Sequence, residues 1–251
     1  MPLTKVSRSA ERIGLPAIPD YDGRGWNPLR QYSRSILDCW YPAWAVRGNV
    51  WLDMGPHAQH LTASGSPTPT IGPSSGLKGR RAVLFTSSDY YDGAEKASAP
   101  TGSNKVTIVV WYPTSTANAW LFGKGASDAS EEWIHANLGG LYYDSGNGSY
   151  VQGAAGTAHS ANVGYVSCGK NNGTSHQCKI IGSSGYDSGW TSATRSGMIS
   201  NTASNIQIGR ARAGTGSFTG YIAEAFCIRG TQVDALADEL ILKFARYYGI
   251  R

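Results

Sequence analysis

The residues able to do chemistry in this sequence are few and spread along it. Glu131 and Glu132 are adjacent, so on a strand their carboxylates would point to opposite faces and could not share one reacting bond. Asp89 and Asp92 flank Tyr90 and Tyr91 in a loop-like stretch with no second acid beside them. His57 and His60 are three apart, as a metal pair could be. His135, His159 and His176 are scattered. No Gly-x-Ser-x-Gly elbow and no phosphate loop occurs. Asp53, Asp144 and Asp187 lie where loop carboxylates could hold calcium, though nothing selects them as a set. The expectation is a protein without catalytic residues and without a cofactor, with calcium an unsupported option.

Aromatic side chains are more suggestive. Trp40, Tyr41, Trp44 and Trp51 cluster early, and Tyr90-Tyr91 sit beside Gly and Asp. Exposed rings stack on sugar faces, which makes Trp44, Tyr90 and Tyr91 the candidate glycan contacts; filling a core is the competing role for most of the tryptophans. The four cysteines, Cys39, Cys168, Cys178 and Cys227, form no CxxC pattern. Cys168 and Cys178 bracket a turn-rich stretch, so a cross-hairpin disulfide is open in an oxidising compartment, and so is a role as small buried hydrophobes.

The elements that would position these groups read as strands. In 251 residues only 16% are charged, while 32 are Gly, 8 are Trp and 14 are Tyr, a composition suited to a loop-rich β protein with a sizeable core. Strands are expected at 36–41, 49–53, 81–85, 105–112, 119–125, 138–143, 162–168, 177–182, 205–209 and 220–228. Lys105 to Tyr112 is almost continuously apolar and β-branched, as a central strand covered on both faces would be. The Ser/Pro/Gly-rich stretch 64–76 is too full of breakers for a strand, and 144–160 and 183–204 read as long surface loops. One helix is expected over Thr231–Tyr248. Thr231 would cap it, Val233, Leu236, Ala237, Leu240, Phe244, Tyr247 and Tyr248 share a face, and Gly249 would stop it.

Residues 1–35 differ from the rest. Pro2, Pro16, Pro19 and Pro28 punctuate a basic stretch, which reads as an extended arm ahead of a domain over 36–251. Leu3, Arg8, Arg12, Ile13, Tyr21 and Trp26 are its candidate partner anchors. A net charge of +5 and a pI of about 9.0 fall short of the dense basic stripe of a nucleic-acid binder, and no membrane span or apolar signal core is seen.

The order of motifs resembles the concanavalin A-like lectin/glucanase superfamily in its laminin-G-like branch, over about residues 35–250. Leu52 to Thr62 is similar to that branch's early Asp-x-Ser-Gly-x-Gly-Asn-His-x-x-Leu loop, and Gly79–Phe85 to its Gly-x-Ala-Leu-x-Phe strand. Val106–Tyr112 resembles the Thr-Ile-x-x-Trp strand and Leu121–Gly125 the Leu-Phe-Ser-Lys-Gly element. Asn205–Gly209 resembles Leu-x-Ile-Gly, Phe218–Glu224 resembles Phe-x-Gly-x-Ile-x-Glu, and the helix ending at Tyr247-Tyr248-Gly249-Ile250 resembles the closing helix. The branch's mid-domain Trp-His-His-Val is replaced here by Asn162–Ser167.

This resemblance implies an all-β, jelly-roll sandwich of two antiparallel sheets. It implies neighbouring first and last strands, hence facing and potentially bridged Cys39 and Cys227. It implies a structural role for Glu224 and for His60. The glucanase Glu-x-Asp-x-x-Glu strand is missing. The expected function is a non-catalytic virion component of a tailed phage, a capsid decoration, fibre or tail protein made in the host cytoplasm. Its expected partners are other virion proteins, further copies of itself and surface glycans, with no nucleic acid or membrane. The alternatives are a stand-alone carbohydrate-binding module and, less favoured, a glycoside hydrolase.

Overall fold

The computed structural model describes residues 18–19, 21, 26–32, 37–86, 88–93, 104–117, 119–124, 133–137, 141–144, 159–171, 175–194, 205–210, 217–230 and 233–251. Among these, sixteen strands make two eight-stranded antiparallel sheets, and the fold is an all-β sandwich with one long helix. In chain order the elements are α1 (Pro28–Gln31), β1 (Leu37–Pro42), β2 (Val46–Arg47), β3 (Val50–Trp51), β4 (Leu61–Ser64), β5 (Thr68–Ile71), α2 (Ser74–Leu77), β6 (Arg81–Phe85) and β7 (Tyr90–Asp92). They continue with β8 (Lys105–Pro113), β9 (Ala119–Lys124), β10 (Trp133–Asn137), β11 (Leu141–Asp144), β12 (Tyr165–Asn171), β13 (Ser175–Gly182), β14 (Thr191–Thr194), β15 (Ile206–Ile208), β16 (Gly220–Arg229) and α3 (Val233–Tyr247).

Sheet A runs β14-β13-β12-β8-β16-β6-β5, and β1 shares an edge of β16 with β6. β6 pairs with residues 220–222 of β16 and β1 with residues 224–228. Sheet B runs β11-β10-β9-β15-β7-β4-β3-β2. The stretch 64–76 holds a strand after all: β5 lies at the edge of sheet A, where a proline such as Pro69 removes no central ladder bond. The stretch 183–204 likewise contains the edge strand β14. β14 and β7 are too short to announce themselves by periodicity.

Sheet A is covered on both faces, which explains the unbroken apolar run of β8. Val106, Ile108, Val110 and Tyr112 face outward beneath α3, and Val109 and Trp111 face inward toward sheet B. The apolar stripe of α3, formed by Ala237, Leu240, Ile241, Phe244 and Tyr248, lies on β8 and β12. The first half of the helix is tied down from the side. Lys170 pairs with Asp234 at 2.6 Å and lies over the Trp190 ring, and the Trp190 indole N–H donates to Asp238 at 2.8 Å. The helix stops at Gly249, whose φ of +67° suits glycine; the amides of Gly249 and Ile250 close back onto the carbonyls of Arg246 and Ala245. Thr231, the expected cap, lies outside the described residues.

One extra residue decides what β16 presents. Ile222 pairs with Trp111 and Glu224 with Val110, so Ala223 is a β-bulge. Ile222 and Ala225 point into the sandwich, while Ala223, Phe226 and Ile228 point to the helix-covered side. Glu224 is turned to that side as well, where its carboxylate accepts from Trp40, Tyr21 and Tyr248.

Candidate functional site

In sheet B the strands β7 and β15 alternate between a face in the core and one turned outward, whereas β9 is buried at every position. In β7, Tyr91 is buried between Trp51 and Phe85, while Tyr90 and Asp92 point the other way. In β15, Ile206 and Ile208 are buried and Gln207 points outward. The registers line up a row across this outer face: Val50, Thr62, Asp92, Gln207, Gly123, Ile134 and Asp144 are successive partners. Thr62 is exposed, and Val50, Asp92 and Gln207 are half-buried.

Asp92 and Gln207 are direct cross-strand partners, and their side-chain oxygens Oδ1 and Oε1 are both out of water and without a donor. The Gln207 side chain is nonetheless a hydrogen-bond partner of the Asp92 carboxylate, so the two residues serve each other across the strands. The other Asp92 oxygen lies 3.5 Å from the Asn205 side-chain amide. Burial raises the Asp92 carboxyl pKa, opposed by the Gln207 and Asn205 side chains, the Arg210 guanidinium and the Gly93 N–H. Arg210 lies over the ring of Tyr90, 4.8 Å from its centroid, and so brings its charge beside Asp92.

Of the three candidate glycan contacts, only Tyr90 is on this face. Tyr91 is fully buried, and its hydroxyl pKa is pushed up to about 12 by that burial and by Asp89. Trp44 is buried as well, edge-on to Trp40 with its N–H toward the Tyr21 hydroxyl, because it belongs to the aromatic layer outside sheet A. Gln207, Asn205 and Arg210 were not picked out by sequence reasoning. The one available signal was the Ile-Gln-Ile alternation of β15, which marks Gln207 as outward.

Several other acids and histidines among the described residues serve the scaffold, and Glu131 and Glu132 lie outside the described residues. Asp53 accepts from the amides of Trp40, Gly55 and Gln59, and its own N–H donates to His60 Nδ1, so the loop after β3 is held from within. Asp187 is paired with Lys179 and Arg251. Neither carboxylate is presented to an ion, and the Asp144 side chain lies outside the described residues. His135 is buried between the sheets, with Nε2 2.6 Å from Thr107 Oγ1; burial brings its pKa down to about 3, which keeps it neutral. Glu224 is fully buried, and desolvation lifts its pKa to about 7 against the hydrogen bonds from Trp40, Tyr248 and Tyr21.

All four cysteines are buried free thiols. Cys39 and Cys227 are opposed in the β1–β16 register, yet remain unbridged. A Cys168–Cys178 bridge is excluded by the pleat: Cys178 pairs with Gly169, so Cys168 faces the α3 side and Cys178 the inter-sheet side. Among the anchors expected in the arm, Leu3, Arg8, Arg12 and Ile13 lie outside the described residues. Tyr21 and Trp26 are core residues packed against Phe244. They are therefore spent on their own sandwich and cannot anchor a partner.

No protein-family model matches the sequence, and no curated protein does. Solved structures do share the fold. Domain 4 of AbnA, a GH43 extracellular arabinanase from Geobacillus stearothermophilus solved with arabinotriose, is 15% identical with a TM-score of 0.57, over 80% of this chain and 98% of that one. An arabinofuranosidase complexed with arabinofuranosyl-α-1,2-xylobiose is 14% identical with a TM-score of 0.55, over 80% of this chain and 51% of that one. Trypanosoma rangeli sialidase with sialic acid is 11% identical with a TM-score of 0.54, over 97% of this chain and 38% of that one. The chain thus spans about half of the arabinofuranosidase and less than two-fifths of the sialidase. These neighbours establish a β-sandwich related to the jelly-roll, concanavalin-like fold. They overturn the expectation of a non-enzymatic virion component, because this fold is found in solved glycoside hydrolases and a sialidase carrying sugars.

Proposed function

We propose that this chain is a carbohydrate-recognition sandwich, of the laminin-G-like branch, that works on or alongside glycan substrates. The observation that carries the reading is the outward face of sheet B. The other sheet is covered on both sides, whereas this face keeps polar groups beside a half-buried tyrosine. The near-complete coverage of a domain solved with arabinotriose supports it and makes arabinose-containing oligosaccharides the first ligands to try.

A second reading, glycosidic cleavage by the chain itself, is favoured by the hydrolases among the neighbours. It needs two carboxyl groups about 5–5.5 Å apart for retention or about 6.5–9.5 Å for inversion. Asp92 and Asp144 share the row on sheet B but stand four strand spacings apart, roughly 19 Å, so they do not form such a pair.

The test is calorimetric titration of the full chain with arabinotriose, arabinofuranosyl-xylobiose, xylobiose and sialic acid, with reducing-sugar release followed in parallel. Saturable binding without release supports recognition. Release supports cleavage. Absence of both across the panel overturns the carbohydrate reading.

A further inference from the structure

We propose that Cys39 and Cys227 are a redox pair: under oxidising conditions their sulfurs join in a disulfide that staples β1 to β16, while Cys168 and Cys178 stay free. The inference is independent of the carbohydrate reading.

Register brings the two thiols together. β1 and β16 run antiparallel with Cys39 directly opposite Cys227, and both side chains enter the inter-sheet layer. The Trp40 N–H donates to Asp53 and its carbonyl accepts from the Met54 N–H, so Trp40 turns its backbone away from β16. Alternation then makes Cys39 and Cys227 a hydrogen-bonded pair, with Cα atoms about 5.5 Å apart. That matches the commonest Cα separation of disulfides, roughly 5.5–6 Å. The two thiols already hydrogen-bond each other. Cys227 Sγ also lies 3.9 Å from Asp38 Oδ2. Arg229 holds that carboxylate at 2.5 Å, so losing the thiol proton strands no acceptor.

The same ladders exclude the other cysteines. Cys227, Thr107, Gly169 and Cys178 are successive partners across β16, β8, β12 and β13, which puts Cys178 three strand spacings from Cys227, roughly 14 Å. Cys168 points to the opposite face, toward α3.

The oxidant is a small disulfide such as oxidised glutathione. One cysteine thiolate attacks it and releases the first small thiol, leaving a mixed disulfide. The second cysteine then attacks the protein-bound sulfur and expels the other small thiol. Two electrons pass to the small disulfide, and the two cysteine protons end on the released thiols. Neither sulfur is exposed, so the exchange belongs to the chain before β1 docks on β16. Burial then shields the closed bond from reductants.

The experiment is refolding of the full chain from guanidinium in a glutathione redox buffer, against refolding with reductant throughout. The oxidised product should have lost two hydrogens, alkylate at two cysteines when denatured, and yield one cross-linked peptide joining Cys39 to Cys227. Closing a loop of about 190 residues should raise its melting temperature by about 10 °C over the reduced protein. Cys227→Ala refolded in the same way should show no rise, and the double variant Cys168→Ala, Cys178→Ala should keep it. If the variants do not fold, the peptide map of the wild type decides. Native bridged protein should also resist a reductant that opens it at once in guanidinium. Four alkylatable thiols after oxidative refolding would overturn the proposal, as would a link through Cys168 or Cys178. A bridged protein melting below the reduced one would also overturn it, since the bond would then be incompatible with the β1–β16 register.

Discussion

Tyr248, just beyond the last turn of α3, donates its hydroxyl proton to Glu224 Oε2 at 2.5 Å, joining the helix to the bulge of β16 with both residues buried. Trp40 and Tyr21 donate to the same carboxylate, so one acid fastens β1, the residues ahead of α1, and α3 to sheet A. No cation accompanies it in these contacts; its partners are neutral.

The pKa of about 7 makes this fastening pH-dependent. The folded value lies above the ordinary 4.5, so between the two the folded protein holds more protons than the unfolded chain and stability falls as pH rises. The contribution is fully present below about pH 4.5 and lost as pH rises through about 7, by order of magnitude 3 kcal/mol. Other groups add their own slopes. Denaturant melts of Glu224→Gln from pH 5 to 8 should therefore be flatter than the wild type's. Parallel curves for the two proteins would refute the assignment.

Thiol chemistry should be silent in the native state. All four cysteines are buried, and desolvation raises the thiol pKa values of Cys39 and Cys168 well out of the reactive range. A thiol reagent should label none of them in buffer on a timescale of minutes and all four in guanidinium. Rapid native labelling would show that the β1–β16 or β12–β13 ladders open.

Tyr21 should behave as a core residue. It packs on Trp26, Trp40, Phe244 and Tyr247 and reaches Glu224. Tyr21→Ala should cost about 3 kcal/mol or more of unfolding free energy, in the range of large aromatic deletions. A loss below about 1 kcal/mol would place it back on a detachable arm.

Gly164 and Gly76 cross backbone to backbone. A Cβ built on Gly164 would sit 2.0 Å from the Gly76 carbonyl oxygen, and one on Gly76 would also strike the Tyr112 ring. Gly164→Ala should destabilise by at least about 2 kcal/mol, since a backbone contact cannot swing aside. A wild-type melting temperature would mean that the loop before β12 is free to move.

Much of the sandwich was legible because its signals are local. The apolar run of β8, the 3.6-residue stripe of α3 with its glycine stop and the largely apolar run of β16 each lie within one window of sequence. What was not legible depends on distant pairing. Glu224 finds Tyr21 across 203 residues, and nothing near Tyr21 distinguishes a ring that docks under a helix from one on an exposed arm. Asp92 was visible as an acid, but its partner Gln207 is defined by the β7–β15 register. Trp44 and Tyr91 had the right chemistry for sugar stacking but are buried, Trp44 in the turn after β1 and Tyr91 on the inner face of β7. Residue type alone does not specify which side a ring faces.

The bulge at Ala223 acts as a parity switch. With strict alternation, Ile222, Glu224 and Phe226 would all look the same way; the inserted residue sends Glu224 and Phe226 toward α3 while Ile222 and Ala225 stay inside. Forcing Ala223 into register, with the residue count unchanged, would exchange the two faces for half of the strand. A carboxylate would then enter the apolar inter-sheet layer, and Trp40, Tyr21 and Tyr248 would lose their common acceptor. Deleting Ala223 would instead keep both faces, because Glu224 would follow Ile222 directly, so the pairing of Glu224 with Val110 is the register that anyone recombining this chain has to preserve.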